Sequence, residues 1–395
     1  IDAIEEKLTL AVKRRLVSDV PVCLFLSGGI DSSLIGERLS AAGAAGTVAY
    51  TIGYDDMPEY SEFEYARLAA KDRPIELREL HVKSTDALAA LQDDSLDPDD
   101  PISDWVWVPL HLLSKQAAAD GFKVVLLGEG SDELFFGYDV MLNGLRHIEH
   151  FKSPLMRGLA RAAAVATKPV YNISRKGHRR YDLWRRAGAG APPYWGSSIG
   201  FPRSQRHQIA GPKLGGPGED PAEYFIRSLY ERFGTEAVDS TDRVNLVCFV
   251  EFLTKMNEVL LQRVDRVTMK HSLEARAPFL DHELVELAFA IPGRDKIPGR
   301  RLKELLKELA RKRLPAQIVD RPKMGFSFPF KEWLRGPLGP VVEATLMNSR
   351  IFSDGWLNKE FCLSMLAEHR RGRVDHAPRV WQLYSLARWY DRWAA

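Results

Sequence analysis

Cysteine is scarce in this sequence: three in 395 residues, Cys23, Cys248 and Cys362. They lie far apart and show no metal-ligand or redox spacing, so neither a zinc site nor a disulfide framework is implied, and free thiols in a reducing compartment are expected. Long apolar runs are lacking too. The longest uncharged stretch, Leu39 to Tyr54, is interrupted by glycines and reads as a helix end, a turn and a strand, so no bilayer span is expected and a soluble cytoplasmic protein follows. Nor is there an excess of one charge. Lys and Arg number 55 against 53 Asp and Glu, and a net charge of +2 gives no global attraction to nucleic acid or acidic membranes, so neither is an expected partner. Fixed-period repeats and low-complexity tracts are also missing, which excludes a solenoid and extended disorder.

What is present has an ordinary globular balance, 45% hydrophobic and 27% charged. In the first third, short β-rich runs alternate with helical patterns: Val22 to Leu26, Thr47 to Gly53, Glu76 to Val82, and Lys123 to Leu127. Such alternation predicts an α/β fold with a mostly parallel sheet and flanking helices. In that class ligands sit beyond the carboxyl ends of the strands, which directs attention to the loops after Leu26, Gly53 and Leu127. From Phe151 to Arg186 the sequence turns basic, and Ala187 to Pro221 is crowded with Gly and Pro. Beyond Thr235 the apolar positions recur at helical spacing. The expected organisation is an α/β core over 1–150, a basic and Gly/Pro-rich insertion over 151–235, and a largely α-helical portion over 236–395.

The loop after the first strand is Ser27-Gly28-Gly29-Ile30-Asp31-Ser32-Ser33, running into a helix expected near Leu34. Gly28 and Gly29 permit a sharp turn and close approach to an anion. Ser27, Ser32 and Ser33 add hydroxyls at a helix N-terminus, whose free N–H groups and dipole favour phosphate. Asp31 beside phosphate is repelled unless a cation lies between them, and Mg²⁺ is the natural mediator. The spacing of a Walker A loop is absent. The second loop, Gly128-Glu129-Gly130-Ser131-Asp132-Glu133 and on to Tyr138, sets Glu129, Asp132 and Glu133 beside a strand end, a repulsion that metal, protons or cationic partners must offset. If the strands are neighbours, Asp132 meets Asp31 and completes the metal site.

The first loop resembles the signature of the PP-loop ATP pyrophosphatase superfamily (adenine nucleotide alpha hydrolase-like), which cleaves ATP between the α- and β-phosphates. Together with Gly128 to Tyr138 it looks like the synthetase domain of glutamine-hydrolysing asparagine synthetases. Asp265-Arg266-Val267-Thr268-Met269, Glu274-Ala275-Arg276-Ala277-Pro278-Phe279-Leu280-Asp281 and Arg321-Pro322-Lys323-Met324-Gly325-Phe326 are similar to further motifs of that family, in family order over residues 1 to about 335.

The resemblance implies roles. Lys323 is similar to the lysine that grips ATP phosphates and stabilises transition-state charge, with a surface lysine as the alternative. Glu129 resembles the glutamate that holds the attacking amine and takes its proton, with a hydrogen-bond acceptor behind the reacting groups as the alternative. Ile52 and Gly53 match the adenine position or are strand core, and Gly128 belongs to the nucleotide loop. Asp104 matches an acidic position near the substrate pocket, and Trp105 and Trp107 depart from the family there. Glu274 and Arg276 read as a buried ion pair, Phe279 as core, and Asp265 as either substrate-lining or a helix cap.

The implied reaction is an ATP-dependent, Mg²⁺-dependent ligation: an acid, aspartate first among candidates, is adenylated, and ammonia from a glutaminase domain or subunit displaces AMP. Related alternatives are the β-lactam synthetase and lasso-peptide cyclase types with an internal amine. An alternative of another class is a non-catalytic ATP-binding scaffold. Residue 1 is Ile and Ile1 to Arg15 reads as an amphipathic helix, so a chain trimmed at its N-terminus is expected, with a homodimer among the expected assemblies.

Overall fold

The computed structural model describes residues 1–44, 46–93, 99–173, 175–198, 200–214, 220–321 and 328–394. Five parallel strands form one sheet: β1 (Val22–Phe25), β2 (Thr47–Tyr54), β3 (Ile75–Val82), β4 (Val124–Leu126) and β5 (Glu274–Arg276), in the order β3-β2-β1-β4-β5. Every pair is parallel. The first four strands are the β-rich runs of the sequence. Helices cover both faces, as a parallel sheet requires.

Alternation along β1 divides the core. Cys23 and Phe25 face a cluster with Tyr50, Ile52, Val125 and Trp381, whereas Leu24 and Leu26 face another with Ile4, Leu34 and Phe279. Sheet order reverses direction at β1, with β2 on one side and β4 on the other. The crevice beyond their carboxyl ends is therefore the topological switch point.

β5 comes from the family-like segment far downstream. Glu274 and Arg276 do form an ion pair, Nε to Oε1 2.7 Å, but at an exposed rim: the Glu274 side chain is 58% exposed, so the buried pair expected from sequence is corrected. Phe279 is core. Asp265 is exposed within helix Gln262–Met269, neither its cap nor part of the cleft lining.

The middle of the chain contains helices Pro154–Thr167, Arg175–Gly188 and Arg203–Ile209. Tyr194, inside the Gly/Pro-rich stretch, is buried with Phe136, Met141 and Val247. Beyond it the described chain is largely α-helical, as the apolar periodicity predicts; besides β5 and short 3₁₀ turns, Phe252–Leu261 departs from that as a π-helix between the α-helices Arg243–Glu251 and Gln262–Met269. Among the described residues no helix is long and apolar enough to cross a membrane.

Candidate active site

The switch point opens into a cavity of about 380 Å³, within the usual size of a small-molecule site of about 300–1,000 Å³. Its lining includes Ser27, Gly29, Asp31 and Ser32 from the first loop, Ile52 from β2, Gly128, Glu129 and Asp132 from the second, and Asp104. Sequence-distant loops thus converge because β1 and β4 are hydrogen-bonded neighbours.

Helix Ile30–Ala41 begins earlier than the sequence suggests, inside the motif rather than near Leu34. Its cap, Gly29, makes no side-chain capping bond, so the first-turn N–H groups are left toward the cavity as candidate anion donors. The loop serines hold its shape: the Gly29 N–H donates to Ser27 Oγ at 3.3 Å and the Ser27 N–H to Ser32 Oγ at 3.2 Å.

Gly28 does not line the cavity. It turns the chain at φ +68°, where a Cβ would lie 2.4 Å from the Tyr65 backbone. Ser33 is fully buried, and Gly53 lies against the Phe63 ring outside the lining, where an added Cβ would meet that ring at 2.4 Å. Lys323 lies outside the described residues.

Asp31 and Asp132 do meet, and a lysine the motifs did not reveal stands between them. Lys303 Nζ lies 2.5 Å from Asp31 Oδ1 and 2.7 Å from Asp132 Oδ1, and it donates to Ser131 Oγ at 2.9 Å. Burial works against its charge, but Asp132 and Asp31 more than offset that and hold its pKa well above the ordinary lysine value. Lys303 has φ +58°, a left-handed backbone that is costly for a side-chain-bearing residue, and it caps helix Glu304–Arg313. Two carboxylates converging on one cation also form a hard oxygen donor set that suits Mg²⁺, which is commonly held by one or two carboxylates plus substrate phosphates.

A second ion cluster adjoins the first. Arg263, almost fully buried on helix Gln262–Met269, forks between Asp104 and Glu129: Nη1 donates to Asp104 Oδ2, and Nη2 to Glu129 Oε1 at 2.5 Å. Asp104 is fixed further by accepting from the Val106 N–H at 3.1 Å. Burial pushes the Glu129 carboxyl above the ordinary range; Arg263 opposes that shift, while Asp104 and Asp132 add to it. Glu133, next to this cluster, is pushed up to about 7, chiefly by burial and then by Asp132, while the Tyr138 hydroxyl donates to it at 2.7 Å.

Trp105 and Trp107 do not reshape the cavity. Trp105 stacks on Phe330 and Trp107 on His111, and only Val106 between them reaches the lining. Three further basic residues line it: Arg321, paired with buried Glu62 at 3.1 Å, Lys307 and Lys255. Glu129 also borders a second cavity of about 540 Å³, lined by Leu127, Leu261, Val264, Ala275 and Ala277 and by arginines that include Arg14 and Arg276.

Comparison with known proteins identifies the family to which the chain is similar. The family model described as asparagine synthase matches residues 3–391. The chain is 28% identical over 99% of its length to Asparagine synthetase [glutamine-hydrolyzing] 1 of Bacillus subtilis (strain 168), covering 58% of that protein. It is 29% identical over 98% of its length to a putative glutamine-hydrolysing asparagine synthetase of Mycobacterium tuberculosis, covering 57% of it. It is 26% identical over 90% of its length to the Amidase chry2 of Gibberella zeae, covering 56% of that protein. The chain thus spans less than two thirds of the length of these relatives.

Proposed function

The chain belongs to the asparagine synthase family, and from that premise we propose that it forms an amide by adenylating a carboxylic acid with ATP and passing the acyl group to ammonia. The observation that carries this is the convergence of two ion clusters in one cavity: Asp31–Lys303–Asp132 at the anion loop, and Asp104–Arg263–Glu129 beside it.

ATP phosphates take the first-turn N–H groups of helix Ile30–Ala41, with adenine toward Ile52 and Ser27 and Ser32 shaping the loop. Asp31 and Asp132 are the residues that would hold Mg²⁺, which when bound offsets pyrophosphate charge. Lys303 supplies a fixed positive charge to the same oxygens, and Lys323 is proposed to join it.

An acid carboxylate oxygen attacks the α-phosphorus, the bond to the bridging α–β oxygen breaks, and pyrophosphate leaves. The acyl carbon now carries AMP, a far better leaving group than oxide. Ammonia attacks it, the C–N bond forms, the C–O bond to AMP breaks, and the Glu129 carboxylate takes the excess proton. Arg263 orients that carboxylate, and Asp104 keeps the guanidinium in place. The second cavity, to which Leu127, Leu261 and Val264 contribute apolar walls, supports a route for neutral ammonia to the Glu129 carboxylate. Aspartate is the proposed acid and a glutaminase domain or subunit the proposed source of ammonia.

The test is pyrophosphate and AMP release from MgATP, aspartate and ammonium. Release by the intact chain with asparagine formed, and its loss in Asp31→Ala, is expected. No release with any carboxylic acid would overturn the proposal.

A further inference from the structure

Most charged side chains lining the cleft have an opposite charge within ion-pair distance. Asp31 and Asp132 share Lys303, Asp104 and Glu129 share Arg263, and Glu62 has Arg321. Among the described residues, Lys255 and Lys307 line the cleft without such a partner. Lys307 follows Lys303 by one helical turn and so belongs to the phosphate end. Lys255 does not. Its Nζ lies 3.5 Å from the centre of the Tyr138 ring, and its charge acts on Glu129 and Glu133, which puts it at the end where the acyl group would react.

The backbone presents Lys255 in an unusual way. It lies in the π-helix Phe252–Leu261, and Leu260, five residues on, lines the same cleft. In an α-helix residues five apart diverge by about 140°, whereas i→i+5 bonding brings them toward one face. Short π segments inside α-helices are frequent at functional sites. This one is anchored at its start: buried Glu251 accepts from the Tyr194 hydroxyl and from Ser197 Oγ at 2.8 Å. A mobile four-carbon side chain on a fixed base, its ammonium resting on an aromatic face, suits capture of an anion that arrives with the substrate.

We propose that Lys255 binds a second, unreacting carboxylate of the acid, so that the site selects short dicarboxylic acids, aspartate among them, over monocarboxylic ones. This rests on the adenylation proposed above. The cavity must take a nucleotide as well, which leaves room for a small acid only.

Pyrophosphate–ATP exchange reports adenylation without ammonia and allows a direct test. The acids are aspartate and β-alanine, which is aspartate without its α-carboxylate. The intact chain should favour aspartate by about 10- to 100-fold in kcat/KM, as expected for one charged hydrogen bond. In Lys255→Met that preference should collapse through a higher KM for aspartate, with the KM for ATP and the rate with β-alanine unchanged. Lys255→Arg should restore most of it. An unchanged preference in Lys255→Met, or a fall in rate with both acids alike, overturns the role of Lys255 and leaves adenylation standing. Exchange with no acid at all overturns both.

Discussion

Lys303 Nζ and Asp132 Oδ1 are 2.7 Å apart across 171 positions of sequence. The contact joins a left-handed residue ahead of a late helix to a carboxylate in the short helix Ser131–Leu134 that follows β4. It neutralises a charge pair that the motif alone leaves unexplained, because the same ammonium also meets Asp31.

Replacing Lys303 with Met should therefore cost stability as well as activity. Removing one partner of a buried ion cluster typically costs about 3–5 kcal/mol. Thermal unfolding should show a lower midpoint for Lys303→Met, partly restored by Mg²⁺ between the two aspartates, while the intact chain gains less from the metal. Pyrophosphate release should be lost.

Glu129→Gln should separate the two half-reactions. Pyrophosphate–ATP exchange persists because the phosphate end is untouched, while amide formation from ammonium falls by about 10²- to 10⁴-fold for loss of a general base. The base works deprotonated and its pKa is raised. The acid limb of the amide-forming rate should therefore fall at a pH above the ordinary glutamate value of 4.5.

Arg263→Lys keeps the charge but loses the fork that reaches Asp104 and Glu129 together. It should behave more like a deletion than a conservative change, with amide formation reduced more than exchange.

Glu133 gives a prediction for stability against pH. Its pKa is raised from 4.5 to about 7 in the folded protein, so the native state holds this proton more tightly than the unfolded chain does. The associated stability is present below 4.5 and disappears as pH rises through about 7. Glu133→Gln keeps an acceptor for the Tyr138 hydroxyl without the titration. Urea unfolding of the variant should change less across that window than that of the intact chain and be the more stable of the two above it.

Gly137→Ala tests the position of Asp132. A Cβ at residue 137 would lie 1.9 Å from Asp132 Oδ1, so the carboxylate must move. Displacement of a positioning group by about 1 Å can cost about 10²-fold in rate. Gly158, which meets nothing within 4 Å, is the control.

The fold was legible where periodicity is strong. Strands β1 to β4 are apolar runs between helical patterns, and each lies within about two residues of the predicted limits. β5 was not legible as a strand, since Glu274-Ala275-Arg276 is short and carries charges at both ends. The carboxylates and glycines of the site stood out because they are contiguous in sequence. Its cations did not. Lys255, Arg263 and Lys303 are isolated basic residues in helical patterns, indistinguishable by type from a solvated face. What marks them, a π-helix, near-complete burial and a positive φ, is set by tertiary packing. Lys323 was legible only through resemblance, and lies outside the described residues.

The position of β5 in the sheet also bears on the order in which the molecule can be made. Synthesis delivers Asp31, Asp104, Glu129 and Asp132 with the first four strands, whereas Lys255, Arg263, β5 and Lys303 follow more than a hundred residues later. A nascent chain stopped between these groups has an open edge at β4 and clustered carboxylates with no counter-charge, a state inclined to pair wrongly or to stay loose. Assembly of the cleft is then a late event in folding, and a fragment cut before residue 303 should fail to bind ATP even though every residue of both acidic loops is present.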